Sequence, residues 1–137
     1  MVRFFFENDF NLKNRRAIKL WLAAVANNEQ KAIQQVNFIF CNDDYLLEKN
    51  IKYLKHNTLT DIIGFDYSQG ELILGDIFIS IERVAENALT LRQTLTDELH
   101  RVMVHGLLHY CGYKDKSLNE KELMRNKEDY YLSLRSF

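Results

Sequence analysis

The 137-residue chain reads as an α+β domain: a single four-stranded sheet covered by helices, with one histidine-bearing helix packed centrally against it. Three observations lead there. Short runs rich in Val, Ile and Phe alternate with segments whose apolar residues recur every three or four positions. Two of the strand-like runs are separated only by Ser68-Gln69-Gly70, which predicts a hairpin. The segment from Thr94 to Tyr110 is apolar nearly all round, as a helix in the middle of a domain is.

Taken in order, Val2 to Glu7 is aromatic and predicts a strand. Asn11 or Asn14 then starts a helix through Asn28, with Ile18, Trp21, Leu22, Val25 and Ala26 on its inner face. The basic cluster Lys13, Arg15, Arg16 and Lys19 stands at the unfavourable positive end of that helix, and reads first as a solvated face, second as a contact to RNA phosphate. Gln35 to Cys41 predicts the second strand, with Cys41 a small buried hydrophobe. A helix capped by Asp43 is expected through about Leu54, with Leu47, Ile51 and Leu54 inward, followed by a polar loop from Lys55 to Thr58.

Asp61–Tyr67 and Glu71–Ser80 form the expected hairpin, and Gly75-Asp76 predicts a bulge or a close backbone approach in its second strand. Ser80 is placed to cap the next helix, whose buried stripe is Ile81, Val84, Ala85, Ala88 and Leu89. The histidine helix follows from Thr94 or Thr96, with Asp97 and Glu98 suiting its positive end. Ser117 and Glu120 make a capping box for a terminal helix, with Leu123, Lys127, Tyr130 and Leu134 on one line.

Composition bounds the function. An apolar fraction of 47% with 27% charged residues is that of a globular domain, here one domain over residues 1–137. No apolar run approaches the roughly 18 residues needed to cross a bilayer, and Met1 to Glu7 is too soon charged for a secretory signal. Cys41 and Cys111 lie outside any Cys-x-x-Cys spacing, which fits reduced thiols; the expected location is the cytoplasm, with no membrane partner. A net charge of −1 gives no global attraction to nucleic acid, so any such binding must be local.

The chemistry concentrates in His105-Gly106-Leu107-Leu108-His109 and the residues just beyond. Two histidines four apart share one face of a helix and can bind one transition metal. Gly112 can end the helix in a left-handed turn, and Asp115 can then return its carboxylate to the pair. Two His, one Asp and an open position for water would result. By itself a His pair is as often two ordinary imidazoles; the turn and the carboxylate favour the metal. Cys111 projects some 160° from His109 and is not counted as a ligand. His100, out of line with the pair, and His56, in a loop, read as ordinary polar residues. Zinc proteases carry Glu directly after the first His, where this chain has Gly106, which argues against a peptidase.

The segment resembles the YbeY family of single-domain metal-dependent endoribonucleases, whose signature is H-G-x-L-H-x-x-G-Y-D-H. Residues His105 to Tyr113 reproduce its first nine positions. Thr60-Asp61-Ile62-Ile63-Gly64-Phe65 is similar to the family's T-[DN]-V-L-S-F, and Leu74-Gly75-Asp76-Ile77 to its L-G-D-I. The final Asp-His of the signature is here Lys114-Asp115, so the third ligand becomes Asp115 in place of His. An Arg of the family aligns with Leu54, leaving neighbouring Lys55 as its substitute positive charge.

The resemblance implies a single-strand-specific endoribonuclease acting in rRNA maturation at the small-subunit rRNA 3′ end and in ribosome quality control. It implies one divalent transition metal, zinc first, held by His105, His109 and Asp115. Lys55 and Arg101 are the candidates for phosphate contact. Partners expected by resemblance are an rRNA precursor, small-subunit ribosomal components and a ribosome-assembly GTPase. The alternative is a non-catalytic ribosome-assembly factor with a structural metal.

Overall fold

The computed structural model describes residues 1–56 and 58–137. Strands β1 (Val2–Phe6), β2 (Ala32–Cys41), β3 (Ile62–Asp66) and β4 (Leu72–Ser80) form one sheet in the order β1-β2-β4-β3. β1 runs parallel to β2 and β2 to β4, while β3 and β4 are antiparallel. The helices are α1 (Arg15–Asn28), α2 (Asp43–Lys49), α3 (Ile81–Leu91), α4 (Leu95–Tyr110) and α5 (Leu118–Ser133), with a π-helical turn, Asn50–Leu54, continuing α2. Both the fold class and the hairpin expected from the sequence are present.

Alternation along the strands divides the buried residues between two faces. Phe38, Phe40, Ile77 and Ile79 join the main core with Ile18, Leu22 and Val25 of α1 and Met103, Leu107 and Leu108 of α4. The intervening Cys41 and Ile63 pack with Leu46 of α2 on the other face, where Tyr45, Phe65 and Phe78 close a smaller cluster. The histidine helix therefore lies on the main core, as its all-round apolar sequence requires.

Several local expectations are corrected. β2 begins at Ala32, because Ala32 and Ile33 pair with Leu72 and Ile73 before a register shift at Gln34. That irregularity falls in β2, whereas Gly75 in β4 serves a close approach: a Cβ there would lie 2.5 Å from the Phe65 carbonyl oxygen and 2.7 Å from the Tyr110 ring. Asn42, not Asp43, holds the cap position of α2. The Asp43 carboxylate instead accepts from Ser80 Oγ at 2.7 Å and from the Arg83 guanidinium at 2.8 Å. Ile51 and Leu54 are exposed, because the wider π-helical turn rotates the inner face onto Asn50, whose Nδ2 donates to the Thr58 carbonyl at 2.9 Å.

On α3 the buried arc is only Val84 and Ala88 wide, and Leu89 is 76% exposed. On α5 the inward line is Met124, Glu128 and Tyr131, one position away from the expected Leu123, Lys127, Tyr130 and Leu134. A paired glutamate in the middle of that line hides it from an apolar pattern. His100 is also corrected: it is 3% exposed, against the Trp21 and Phe137 rings, with Nδ1 2.7 Å from the Arg135 guanidinium. Burial first, and the Arg135 charge second, lower its pKa to about 4.

Candidate metal centre

α4 starts where Thr94 Oγ1 accepts from the Asp97 N–H at 3.0 Å. Three turns on, Gly106 faces the sheet so closely that a Cβ would meet Ile62 Cδ1 at 2.9 Å and Ile77 Cδ1 at 3.1 Å. Any side chain at this position would have to push these two isoleucine tips aside, so Gly106 lets α4 pack close against the sheet. The helix ends in a Schellman motif around Gly112, at φ 107°: Tyr113 N–H donates to Leu108 O at 3.1 Å and Gly112 N–H to His109 O at 3.0 Å. This turn brings the chain back across the histidine face.

Three donor atoms converge. His105 Nε2 and His109 Nε2 are 3.0 Å apart, and Asp115 Oδ2 lies 3.1 Å from the first and 3.2 Å from the second. Tetrahedral bonds of about 2.0–2.1 Å set ligand atoms roughly 3.3 Å apart, so this triangle fits one transition-metal ion. Among the described residues, no other group of His, Cys, Asp and Glu side chains gathers this way. Cys111 is outside it.

The tautomers suit the task. His109 Nδ1 lies 3.0 Å from the Tyr113 carbonyl, which can only accept, so Nδ1 carries the proton and Nε2 the lone pair. His105 Nδ1 lies 2.6 Å from Glu128 Oε2, which orients the ring the same way. Burial opposes the charged form of His105, but the Glu128 hydrogen bond and the charges of Glu128, Asp115 and Asp61 outweigh it and raise its pKa. Burial also raises the carboxyls of Asp61 and Glu98 nearby.

Two supporting groups escaped the sequence. Glu128 offered one signal, a glutamate between Met124 and Tyr131 on what proves to be the buried line of α5. Glu29, just past α1, offered none. Its carboxylate receives the Tyr113 hydroxyl at 2.6 Å, the Lys127 ammonium at 3.3 Å and the Tyr131 hydroxyl. Burial opposes its charge, but these donors hold its carboxyl below the usual value. Glu29 thus anchors the residue whose carbonyl orients His109, and α5, which orients His105.

Clefts flank the triad on two sides, and both are lined by Asp61, Ile62, His105 and Asp115. One, of about 380 Å³, runs between α4 and α5; the other, of about 430 Å³, reaches Leu54 and Tyr110. Lys55 follows Leu54 at the second cleft, in a left-handed conformation at φ 57°. Arg101 lines the first, with its guanidinium engaged by Glu128 at 2.9 Å and Asp129 at 2.7 Å. Among the described residues, no helix is long and apolar enough to cross a membrane.

Proteins named Endoribonuclease YbeY from Flavobacterium johnsoniae and Cytophaga hutchinsonii are 51% and 53% identical to the chain, each over 98% of it and 96% of their own length. A solution structure of a Thermotoga maritima protein superposes with a TM-score of 0.70 at 26% identity, covering 97% of this chain and 87% of that one. Residues 6–135 match the family described as Endoribonuclease YbeY, and on a match that omits only the two ends, the chain belongs to that family.

Proposed function

We propose that the chain, as one domain over residues 1–137, is a metal-dependent endoribonuclease that cuts single-stranded RNA in the cytoplasm. The observation that carries this reading is the triangle of His105 Nε2, His109 Nε2 and Asp115 Oδ2, with edges of 3.0–3.2 Å. When bound there, a divalent ion, zinc first, supplies Lewis acidity toward a phosphate oxygen or lowers the pKa of a water. Three protein donors leave a fourth position for water or substrate, which favours catalysis over a purely structural metal.

The chain's own groups supply the rest. Tyr113 and Glu128 hold the two imidazoles with their lone pairs inward. Asp115 adds negative charge that offsets the ion. Of the two cations considered for phosphate, Lys55 stands beside the Leu54 cleft, while Arg101 is committed to Glu128 and Asp129. Lys55 is therefore the stronger choice. Family membership supports an rRNA precursor as substrate, cut at the small-subunit 3′ end, with a role in ribosome quality control. Small-subunit ribosomal components and a ribosome-assembly GTPase are the proposed partners.

The test is cleavage of a single-stranded RNA and of DNA of the same sequence, by wild type and by His109→Ala. RNA cut only by wild type, with DNA spared, is the expected result. Metal bound without any cleavage would favour the non-catalytic assembly factor.

A further inference from the structure

The cleft between α4 and α5 holds a group that the chemistry above does not use. Glu98, two turns before His105, is 5% exposed, and its Oε1 is cut off from solvent without a hydrogen-bond partner among the described residues. The neighbouring Arg101 is already committed to Glu128 and Asp129. A buried acceptor without a donor is costly, so the cleft is complete only when a ligand brings N–H or O–H groups to it. A second metal does not answer, because among the described residues the triad is the one cluster close enough to hold an ion.

The rest of the cleft suits a nucleobase. Its volume of about 380 Å³ admits one base with its ribose. Val102 and Met124 supply buried apolar walls, and Lys121 and Arg125 stand exposed along it where a phosphate backbone would pass. His105 links it to the triad. We propose that this cleft binds one unstacked guanine of the RNA next to the phosphate held at the triad, with the Glu98 carboxylate accepting from guanine N1–H and N2–H.

The proposal rests on the endoribonuclease reading for its placement beside the cut. The choice of base follows from the donor pattern. Guanine alone presents two adjacent N–H donors on its Watson–Crick edge. Adenine and cytosine set a donor beside an acceptor, and uracil sets one donor between two acceptors. A carboxylate accepts at both oxygens and repels those lone pairs. Oε1 is sealed in the free chain, so the base is met by a change of Glu98 rotamer that turns both carboxylate oxygens into the cleft.

Two measurements on the metal-loaded chain test this. In calorimetric titration, guanosine monophosphate should bind about tenfold tighter than uridine monophosphate, the scale of one bidentate base contact. Glu98→Gln should abolish that preference with metal content unchanged and Tm equal or higher, since an unpaired buried carboxylate is removed; a merely structural Glu98 would lower Tm. Equal binding of the two nucleotides by wild type, or a preference that survives in Glu98→Gln, overturns the proposal. In cleavage of an RNA randomised in sequence, guanine should be enriched at one position beside the cut, and the enrichment should vanish in Glu98→Gln. Cleavage without that enrichment overturns the guanine site and leaves the endoribonuclease reading intact. A retained nucleotide preference without any cleavage supports the site and refutes that reading.

Discussion

The segments on either side of the Leu54 cleft are built on different principles. On the α4 side both imidazoles are tied from behind, His105 by Glu128 and His109 by the Tyr113 carbonyl, and Tyr113 is itself held by Glu29. Among the described residues, the Asn50–His56 side has few such ties, chiefly Asn50 Nδ2 to Thr58 O at 2.9 Å and His56 N–H to Asn50 O at 3.2 Å. It leaves Ile51, Tyr53 and Leu54 exposed. A metal needs its donors fixed to within about 0.5 Å. Charge acting on a phosphate falls off slowly with distance and tolerates looser placement. Changes on the first side should therefore alter metal occupancy, and changes on the second only the handling of RNA.

The largest effect expected is on the ligands. His105→Ala or His109→Ala should reduce bound metal from about one per chain to near zero. Asp115→Ala should weaken binding strongly, whereas Lys114→Ala should leave it in place, since an ammonium has no lone pair. Equal loss in the two neighbouring variants would show that the turn after Gly112 runs otherwise.

Next comes Glu128→Gln. It keeps the shape but removes the charge that orients His105, and metal affinity should fall about 10- to 100-fold. An unchanged affinity, measured by competition with a chromophoric chelator, would break the contrast between the tied and the open segment.

The same helix separates stability from the site. His100 has its pKa depressed to about 4 from 6.5, so the folded state binds fewer protons than the unfolded one. Its contribution is fully present above pH 6.5 and is lost as pH falls toward 4. At about 1.4 kcal/mol per unit, the loss is on the order of 2–3 kcal/mol. Denaturant melts at pH 7 and pH 4.5 should show a smaller acid loss in His100→Gln than in wild type. Identical losses would exclude His100 as the titrating group.

Lys55→Ala is the smallest change. RNA affinity should drop a few-fold and the salt dependence should lose about one unit of slope, with metal content unchanged. If Lys55→Ala instead strips the metal, the two segments are not independent.

How far the sequence could be read follows the same division. The hairpin, the capping residues Thr94, Ser80 and Ser117, and the Gly112 turn were legible because each rests on local geometry that near neighbours decide. The gathering of His105, His109 and Asp115 was legible for that reason too, since all three lie within eleven consecutive residues. Glu128 and Glu29 were not, because they reach the site from α5 and from the end of α1, and only tertiary packing brings them there. The inward line of α5 was misread because its central residue is charged. The exposed Ile51 and Leu54 were misread because a π-helical turn breaks the period on which the reading relied.

The central claim is that the metal at the triad is what makes the chain cut RNA. Metal content and RNA cleavage should be followed in one sample as a chelator strips the protein and measured zinc is returned. The account predicts that both fall together and recover together, at about one ion per chain, and that His109→Ala recovers neither. Full cleavage by metal-free protein, or equal cleavage by wild type and His109→Ala, would contradict it.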